Sequence, residues 1–563
     1  MRICCFFRVK EKMIIDRSKQ QKNLLEMLQE KNEYISAPCN GNGICGKCVV
    51  RYKRGATEPT RRDREVFSEK QLEDGYRLAC QSYPAGAYEV ELPESEETIE
   101  VLSEWEKLQT TDTEGLTEAY TQTPADAKAS GGIQDKETAE GTAEKTENAI
   151  YGICIDIGTT TLAAMLVNLK TEKDCQTAVS INHQRTYGAD VLSRMDASNN
   201  GKKWEMQHCI RQDLQKLIRE LLQKETITEQ QIQRIMIAGN TTMCHLLRGF
   251  SCETLGVAPF EPVDISWMEG SASEFLGMKE LDAQVVILPG ISAFVGADIM
   301  AGIVDMNLHK TEKQNLLLDI GTNGEMVLGN SNQMYVTSTS AGPAFEGGNI
   351  SCGMASVSGA ISHISMNEAG EVQLEIIGQK NIGQKNGIWR NHNLENSGKM
   401  QPIGICGTGM ADLAYELRKH GIIDENGTFS DAYFDTGYEI TEKVKFTQKD
   451  MRELQMAKAA IRAGLDILIK KAKITYKDVE HCYLAGGFGT KIDIRKAAGI
   501  GLIPEELANK TTAVGNTVLA GTKEVLAGKI TREEMDKIQR MTTVVNLAED
   551  KNFEELYLSY MNF

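Results

Sequence analysis

The stretch Tyr151–Thr161, YGICIDIGTTT, has a counterpart 163 residues later in Leu316–Glu325, LLLDIGTNGE. Each copy is an apolar run that ends in Asp and is followed by a hydrophobic residue, Gly and Thr. Such a run reads as a buried strand entering a tight hairpin. Its recurrence at so wide a spacing reads as two copies of one folding unit. Around both copies, strand-like apolar runs alternate with helical periodicity, as in MAKAAIRAGLDILIKKA (456–472). That alternation is the pattern of α/β architecture.

An Asp at a strand end with Gly and Thr in the turn suits phosphate binding. Backbone N–H and hydroxyl groups cradle the phosphates, and the carboxylate organises the waters of a Mg²⁺ ion. Asp156 with Gly158, Thr159 and Thr160 forms the first such loop, and Asp319 with Gly321, Thr322 and Asn323 the second. A third element, YLAGGFG (483–489), ends a strand in Gly486-Gly487 with Gly489 beyond, where a nucleotide can lie against bare backbone. A fourth, Gly407-Thr408-Gly409, opens the apparent helix MADLAYELRKHG. Glu325, two residues past Asn323, is a candidate for orienting the hydrolytic water, with a solvated or structural role standing equally beside it. No G-x-x-x-x-G-K-[ST] string occurs, so this is not a P-loop protein. Each glycine turn alone is weak evidence, but the order DIGT, DIGT, GTG, GGFG resembles the actin, sugar-kinase and heat-shock ATPase superfamily. That resemblance implies duplicated ribonuclease-H-like lobes that clamp ATP between them.

At 563 residues the chain is too long for one core. Residues 94–149 hold 15 acidic and 4 basic side chains, which places −11 of the net charge of −17 in one segment. With almost no core-forming residues after Tyr120, that segment is expected to be a flexible acidic linker. It divides a module at 1–93 from a body at 150–563, itself read as a middle domain or first lobe (150–310) and a C-terminal actin-like domain (311–563). Nothing resembles a basic nucleic-acid face. No apolar run reaches membrane-spanning length, and the first residues lack a signal-peptide pattern, so a cytoplasmic location is the default expectation.

The small module carries APCNGNGICGKC (37–48), three cysteines in ten residues. Cys39, Cys45 and Cys48, with Cys80 further on in GYRLACQSYP, can supply four thiolates to a [2Fe–2S] cluster, three from one wrapping loop. Gly41, Gly43 and Gly46 allow positive φ and let N–H groups face the sulfurs. Structural zinc usually draws on two short Cys pairs, which this spacing does not offer; zinc and unrelated thiols remain the competing readings. ICCFFRV and MIID read as a strand pair, Ser18-x-x-Gln21 as a capping box ahead of Leu24, Leu25 and Leu28, and VVRYKRG and YEVELP as further strands. The module is similar to ferredoxins of the β-grasp kind, with an x5 gap where plant-type members have x4 and Asn40 where Gly is usual. The remaining ten cysteines, including Cys352 and Cys406, read mostly as small core hydrophobes.

Ferredoxin module, linker and actin-like body together resemble the ATP-dependent reductive activators of corrinoid proteins. YGADVLSRM (187–195), AGNTTMCHLL (238–247), LPGISAFVGADIMAGI (288–303), STSAGPAFEGGNISCGM (338–354) and RELQMAKAAIRAG (452–464) extend the likeness over nearly the whole chain outside the linker. The resemblance implies one-electron transfer from the cluster to an inactive Co(II) corrinoid in a partner protein, restoring Co(I) for methyl transfer. Because Co(I) is hard to reach from about −400 mV, ATP is expected to favour the state in which transfer proceeds. No D-x-H-x-x-G corrinoid motif occurs, so the cobalt belongs to the partner. A flexible linker of about 55 residues reaches about 40 Å, enough to alternate between a low-potential donor and the corrinoid. Which corrinoid protein, which donor, and whether the chain forms a homodimer stay open. The rival readings are a small-molecule kinase with an appended redox module, an ATP-dependent activator of a dehydratase, and a scaffold with a degenerate cleft.

Overall fold

The computed structural model describes residues 7–8, 22–31, 33–35, 37, 41–43, 45–85, 87–93, 149–378, 401–489 and 492–563. Cys39, MIID, the Ser18-x-x-Gln21 pair and, save Ala149, the linker expected over 94–149 lie outside the described residues.

In the small module four antiparallel strands stand in the order Phe7–Arg8, Glu89–Pro93, Val49–Arg54 and Tyr76–Leu78. Helix Leu24–Glu30 lays Leu24, Leu25 and Leu28 on that sheet against Val50, Tyr52 and Leu78. Each buried leucine contributes about 1.5–3 kcal/mol of transfer free energy. The helix starts at Leu24, capped by Asn23: its side chain accepts from Glu26 N–H, and Glu26 accepts from Asn23 N–H. The reciprocal cap expected at Ser18 is thus built by an Asn-x-x-Glu box immediately before the apolar run.

The body holds two six-stranded sheets. The first runs Lys173–Ile181, Thr161–Asn168, Tyr151–Ile157, Ile232–Gly239, Gln284–Ile287, Met268–Ser271; the second runs Thr511–Gly515, Val479–Ala485, Gln314–Ile320, Gly324–Gly329, Met334–Thr339, Thr542–Val544. Counted outward from the DIGT strand, both make two successive antiparallel pairings on one side and two successive parallel pairings on the other; the sixth strand lies beyond the parallel side in the first sheet and beyond the antiparallel side in the second. The duplication read from the repeat is therefore a duplication of topology.

Between the sheets, helices Ala297–Asp305 and Thr517–Leu526 share a core that draws Cys154, Met165 and Met236 from one lobe and Leu317, Val327 and Tyr483 from the other. They meet backbone to backbone: a Cβ on Gly521 would lie 1.9 Å from Ala301 O. Outer cores of each lobe complete the layers. No helix among the described residues is long and apolar enough to cross a membrane.

Candidate functional site: a two-lobed acidic cleft and a cysteine loop

Each DIGT hairpin closes by a backbone bond, Gly158 N–H to Thr161 O at 3.0 Å and Gly321 N–H to Asn323 O at 2.9 Å. The two turns face one another across the lobes. Glu346, on the turn Pro343–Glu346 that follows strand Met334–Thr339, accepts hydrogen bonds from Thr322 Oγ1 at 2.5 Å and from Thr160 Oγ1 at 3.2 Å. One carboxylate thus joins a hydroxyl from each repeat copy.

Five carboxylates share this cleft: Asp156, Asp298, Asp319, Glu325 and Glu346. Desolvation pushes Asp156 up to about 7, with Asn516 Nδ2, donating at 2.7 Å, pulling the other way and Asp298 adding to the rise. Asp319 is also pushed to about 7, first by desolvation and then by the charges of Asp298, Asp156 and Glu346. Asp298, at the start of helix Ala297–Asp305, is raised to about 6 by desolvation, offset in part by the backbone N–H groups around it. Glu325 stands across the antiparallel pair from Asp319 and is raised by desolvation and by Asp298 and Asp319. Glu346 is raised by desolvation, relieved by Thr322, Thr160 and the charge of Arg194. Carboxylates crowded with so little compensation suit a hydrated divalent cation, which carboxylates can hold through its waters.

The first hairpin is braced from behind. Arg194, fully buried, donates to Thr159 O at 2.6 Å and Gly188 O at 2.9 Å. Asn182 donates from Nδ2 to Gly158 O at 2.9 Å and from its backbone N–H to Thr160 O at 2.9 Å. Asn240 Nδ2 donates to Thr159 Oγ1 at 3.0 Å.

Strand Val479–Ala485 ends at Gly486–Gly489, which forms one helical turn. Gly486 has φ +86°, and a Cβ there would lie 2.6 Å from Asp319 Oδ1, so glycine is required for the strand end and the carboxylate to coexist. Gly487 has open space where a Cβ would be. Gly407, Thr408 and Gly409 are the first turn of helix Gly407–Lys419 rather than a separate loop. All three are buried: Thr408 Oγ1 donates to Ser362 O at 2.8 Å, and a Cβ on Gly409 would lie 2.4 Å from Ile361 O. They seat the helix on strand Ala360–Met366.

Asp298, Glu346, Asn516, Asn182 and Arg194 escape a reading of the sequence. Asp298 and Glu346 lie inside glycine-flanked segments, VGADIM and PAFEGG, but no local rule marks a single acid there as aimed into a cleft.

In the small module, Cys48 and Cys80 are buried with their sulfurs 3.3 Å apart, and Cys45 lies beside them, partly exposed. Cys48 donates to Cys80; that bond raises Cys48 and lowers Cys80 to about 7, helped by Gln81 and by Gly43 N–H. Gly41, Gly43 and Gly46 have φ between +68° and +78°, the conformation that turns amides toward the sulfurs. Among the described residues no group of three His, Cys, Asp or Glu side chains is gathered to hold a metal ion; Cys39 lies outside them. A buried thiol pair with an eased proton and a backbone N–H facing sulfur fits the chemistry of iron–sulfur ligation.

Residues 313–563 match the family described as the C-terminal domain of RACo, the ASKHA domain; residues 151–311 match the RACo middle region; and residues 7–85 match the 2Fe-2S iron–sulfur cluster binding domain. The chain is 31% identical over 446 residues to the corrinoid activation enzyme RamQ of Eubacterium limosum, covering 73% of this chain and 70% of the relative. It is 26% identical over 429 residues to the [Co(II) methylated amine-specific corrinoid protein] reductase of Methanosarcina barkeri, covering 74% and 77%. A solved structure titled reductive activator for corrinoid, iron–sulfur protein superposes with a TM-score of 0.65 at 26% identity, covering 97% of this chain and 96% of that one.

Proposed function

Because the chain belongs to the family of ATP-dependent reductive activators of corrinoid proteins, we propose that it spends ATP in the two-lobed cleft to pass one electron from its cysteine loop to the Co(II) corrinoid of a partner protein, yielding Co(I). The observation that carries the nucleotide half of this reading is the meeting of Thr160 and Thr322, one from each repeat copy, on the single carboxylate of Glu346.

Gly158, Thr159, Thr160, Gly321, Thr322 and Asn323 are assigned to the phosphates. Asp156 and Asp319 are assigned to the waters of Mg²⁺, with Asp298 beside them. Gly486, Gly487 and Gly489 offer bare backbone to the rest of the nucleotide, whereas Gly407, Thr408 and Gly409 act through packing. Glu325 and Glu346 are the carboxylates in place to orient water. Cys39, Cys45, Cys48 and Cys80 are assigned to a [2Fe–2S] cluster, which when bound supplies one-electron transfer. The Gly43 N–H and the burial of Cys48 and Cys80 set the polarity around it. A low-potential donor refills the loop. ATP acts by shifting the population toward the arrangement in which the corrinoid accepts an electron.

The test is anaerobic. Reconstituted protein is mixed with a Co(II) corrinoid protein of a methyltransferase system and a low-potential donor, with and without Mg–ATP. Co(I) absorbance is expected with ATP. Cys45→Ala abolishes it while nucleotide binding is unchanged. Full transfer by Cys45→Ala overturns the electron route, and failure with every corrinoid protein tried overturns the function.

A further inference from the structure

Among the described residues, the small module meets the first lobe at Gln29 and Tyr34. Gln29 Nε2, on helix Leu24–Glu30, donates to Thr186 O at 3.2 Å, and the Tyr34 ring stacks tilted on the His183 ring with centroids 5.2 Å apart. Tyr34 packs against the first lobe's outer core and its hydroxyl is hydrogen-bonded to Cys209. His183 is itself clamped to helix Lys203–Glu225, its ring Nδ1 2.7 Å from Asp213 Oδ1 and its backbone N–H donating to Asp213 Oδ2 at 3.0 Å. Asn42 and Lys47 of the cysteine loop stay exposed in this arrangement.

The seat is continuous with the nucleotide loop. His183–Thr186 is a single 3-10 turn whose N-cap is Asn182, the residue that ties Gly158 O and Thr160 O of the first hairpin. The far end of the turn leads through Gly188, whose carbonyl Arg194 holds while it also holds Thr159 O. The three carbonyls of Gly158–Thr160 are therefore held by two residues: Asn182, which caps the turn on which the small module sits, and Arg194, which also holds Gly188 just beyond that turn. A buried, hydrogen-bonded turn of this kind moves as a unit when one side is pulled.

We infer that the small module's seat and the first phosphate hairpin are one coupled unit: nucleotide bound at Gly158–Thr160 changes how tightly Gln29 and Tyr34 are held, and loss of those contacts changes nucleotide affinity by the same factor. Equality of the two factors is required by linkage. The inference rests on the nucleotide reading of the cleft, and it supplies a route by which ATP governs where the electron-carrying module sits.

The experiment uses the full chain with its cluster loaded, kept anaerobic, and Mg–adenylyl imidodiphosphate as the probe. Hydrogen exchange of residues 24–35 reports seating, and an equilibrium titration reports nucleotide affinity. In the wild type, nucleotide is expected to change protection of 24–35 by a factor on the order of 5 or more. Tyr34→Ala and the lobe-side His183→Ala, each retaining the cluster spectrum, are expected to shift nucleotide Kd by a matching factor although neither residue lines the cleft. In an Asn182→Ser background, which keeps a capping oxygen but loses reach to Gly158 O, nucleotide should alter protection of 24–35, and Tyr34→Ala should alter nucleotide Kd, by a smaller factor than in the wild-type background. Undiminished factors overturn this route. Nucleotide that binds without altering 24–35, or a Kd unchanged in both seat variants, overturns the coupling and leaves the proposed function standing. A wild type that fails to bind nucleotide overturns both.

Discussion

The two DIGT hairpins are one topological unit used twice, yet their surroundings are opposite. Across the antiparallel pair, Asp156 faces Ala163, whereas Asp319 faces Glu325. Asp156 receives a hydrogen bond from Asn516, and the carbonyls of its turn are held by Asn182 and Arg194. Asp319 is raised first by desolvation and then by three further carboxylates, and only the bare backbone of Gly486 lets it stand where it does. Desolvation raises both aspartates, but the first copy is braced by hydrogen bonds while the second is crowded by more carboxylates. Duplication supplies the geometry, and the divergence of the flanking residues divides the labour: the first hairpin anchors, the second carries the electrostatic demand for a cation.

The sharpest way to break this comparison is to remove each Asp in turn. Asp319→Asn is expected to lower the rate of ATP hydrolysis by about 100- to 1,000-fold, the cost of losing a preorganised charged group. Asp156→Asn keeps an acceptor for Asn516 and is expected to cost about tenfold or less. Steady-state phosphate release by the two variants checks both, and a larger loss at Asp156 reverses the assignment.

Bracing makes a second demand, on stability. Arg194→Met leaves the carbonyls of Thr159 and Gly188 buried without their donor, at a cost of about 1–3 kcal/mol for each such group. The first lobe is expected to open more readily by about 3 kcal/mol, read as faster hydrogen exchange over residues 156–162 and 182–195, with the second lobe unaffected. Uniform loss of protection through both lobes would show that the bracing is not local.

Legibility in the sequence follows the same division. Both DIGT copies, GGFG and the cysteine loop can be read because each is a run of contiguous residues, some of whose glycines, such as Gly158 and Gly486, leave no room for a Cβ. The paired lobes follow from the repeat. The helix register of Leu24, Leu25 and Leu28 is also visible, though the cap is Asn23, because an Asx box beside the apolar run leaves no gap to bridge. GTG looked like a binding loop, since a glycine turn that seats a helix on a strand has the same spelling as one that meets a ligand. Asp298, Glu346, Arg194 and Asn182 lie 21 to 186 residues from the motif atoms with which they interact, and their roles arise only when distant segments fold together.

The acidic cleft sharpens the comparison through pH. Asp156 and Asp319 are held near 7 in the folded chain, against about 3.9 when unfolded. Between those values the folded state binds the extra protons, so the associated stability is present at low pH and is lost as pH rises through 7. Without nucleotide or divalent cation, the thermal midpoint of the body should be lower at pH 8 than at pH 5.5, by on the order of a few degrees. Excess Mg²⁺ should flatten that slope, because it replaces the protons. Equal midpoints at the two pH values in the presence of chelator would contradict the desolvation and crowding of the two aspartates.

The smallest effect expected is also the most discriminating between the copies. Glu346 touches both hairpins through their hydroxyls, and it places a carboxylate where phosphate oxygens are assigned to go. Glu346→Gln keeps an oxygen able to accept from Thr322 and Thr160 while removing the charge. If the carboxylate stands where phosphate oxygens bind, the variant binds nucleotide about three- to tenfold more tightly, since a like charge at contact distance has been removed. Hydrolysis per bound nucleotide is then nearly unchanged. A fall in hydrolysis of about 100-fold with unaltered affinity would make Glu346 the residue that positions the attacking water, and would move that role away from Glu325 and onto the bridge between the lobes. Either result separates affinity from turnover, which substitutions at the aspartates alter together.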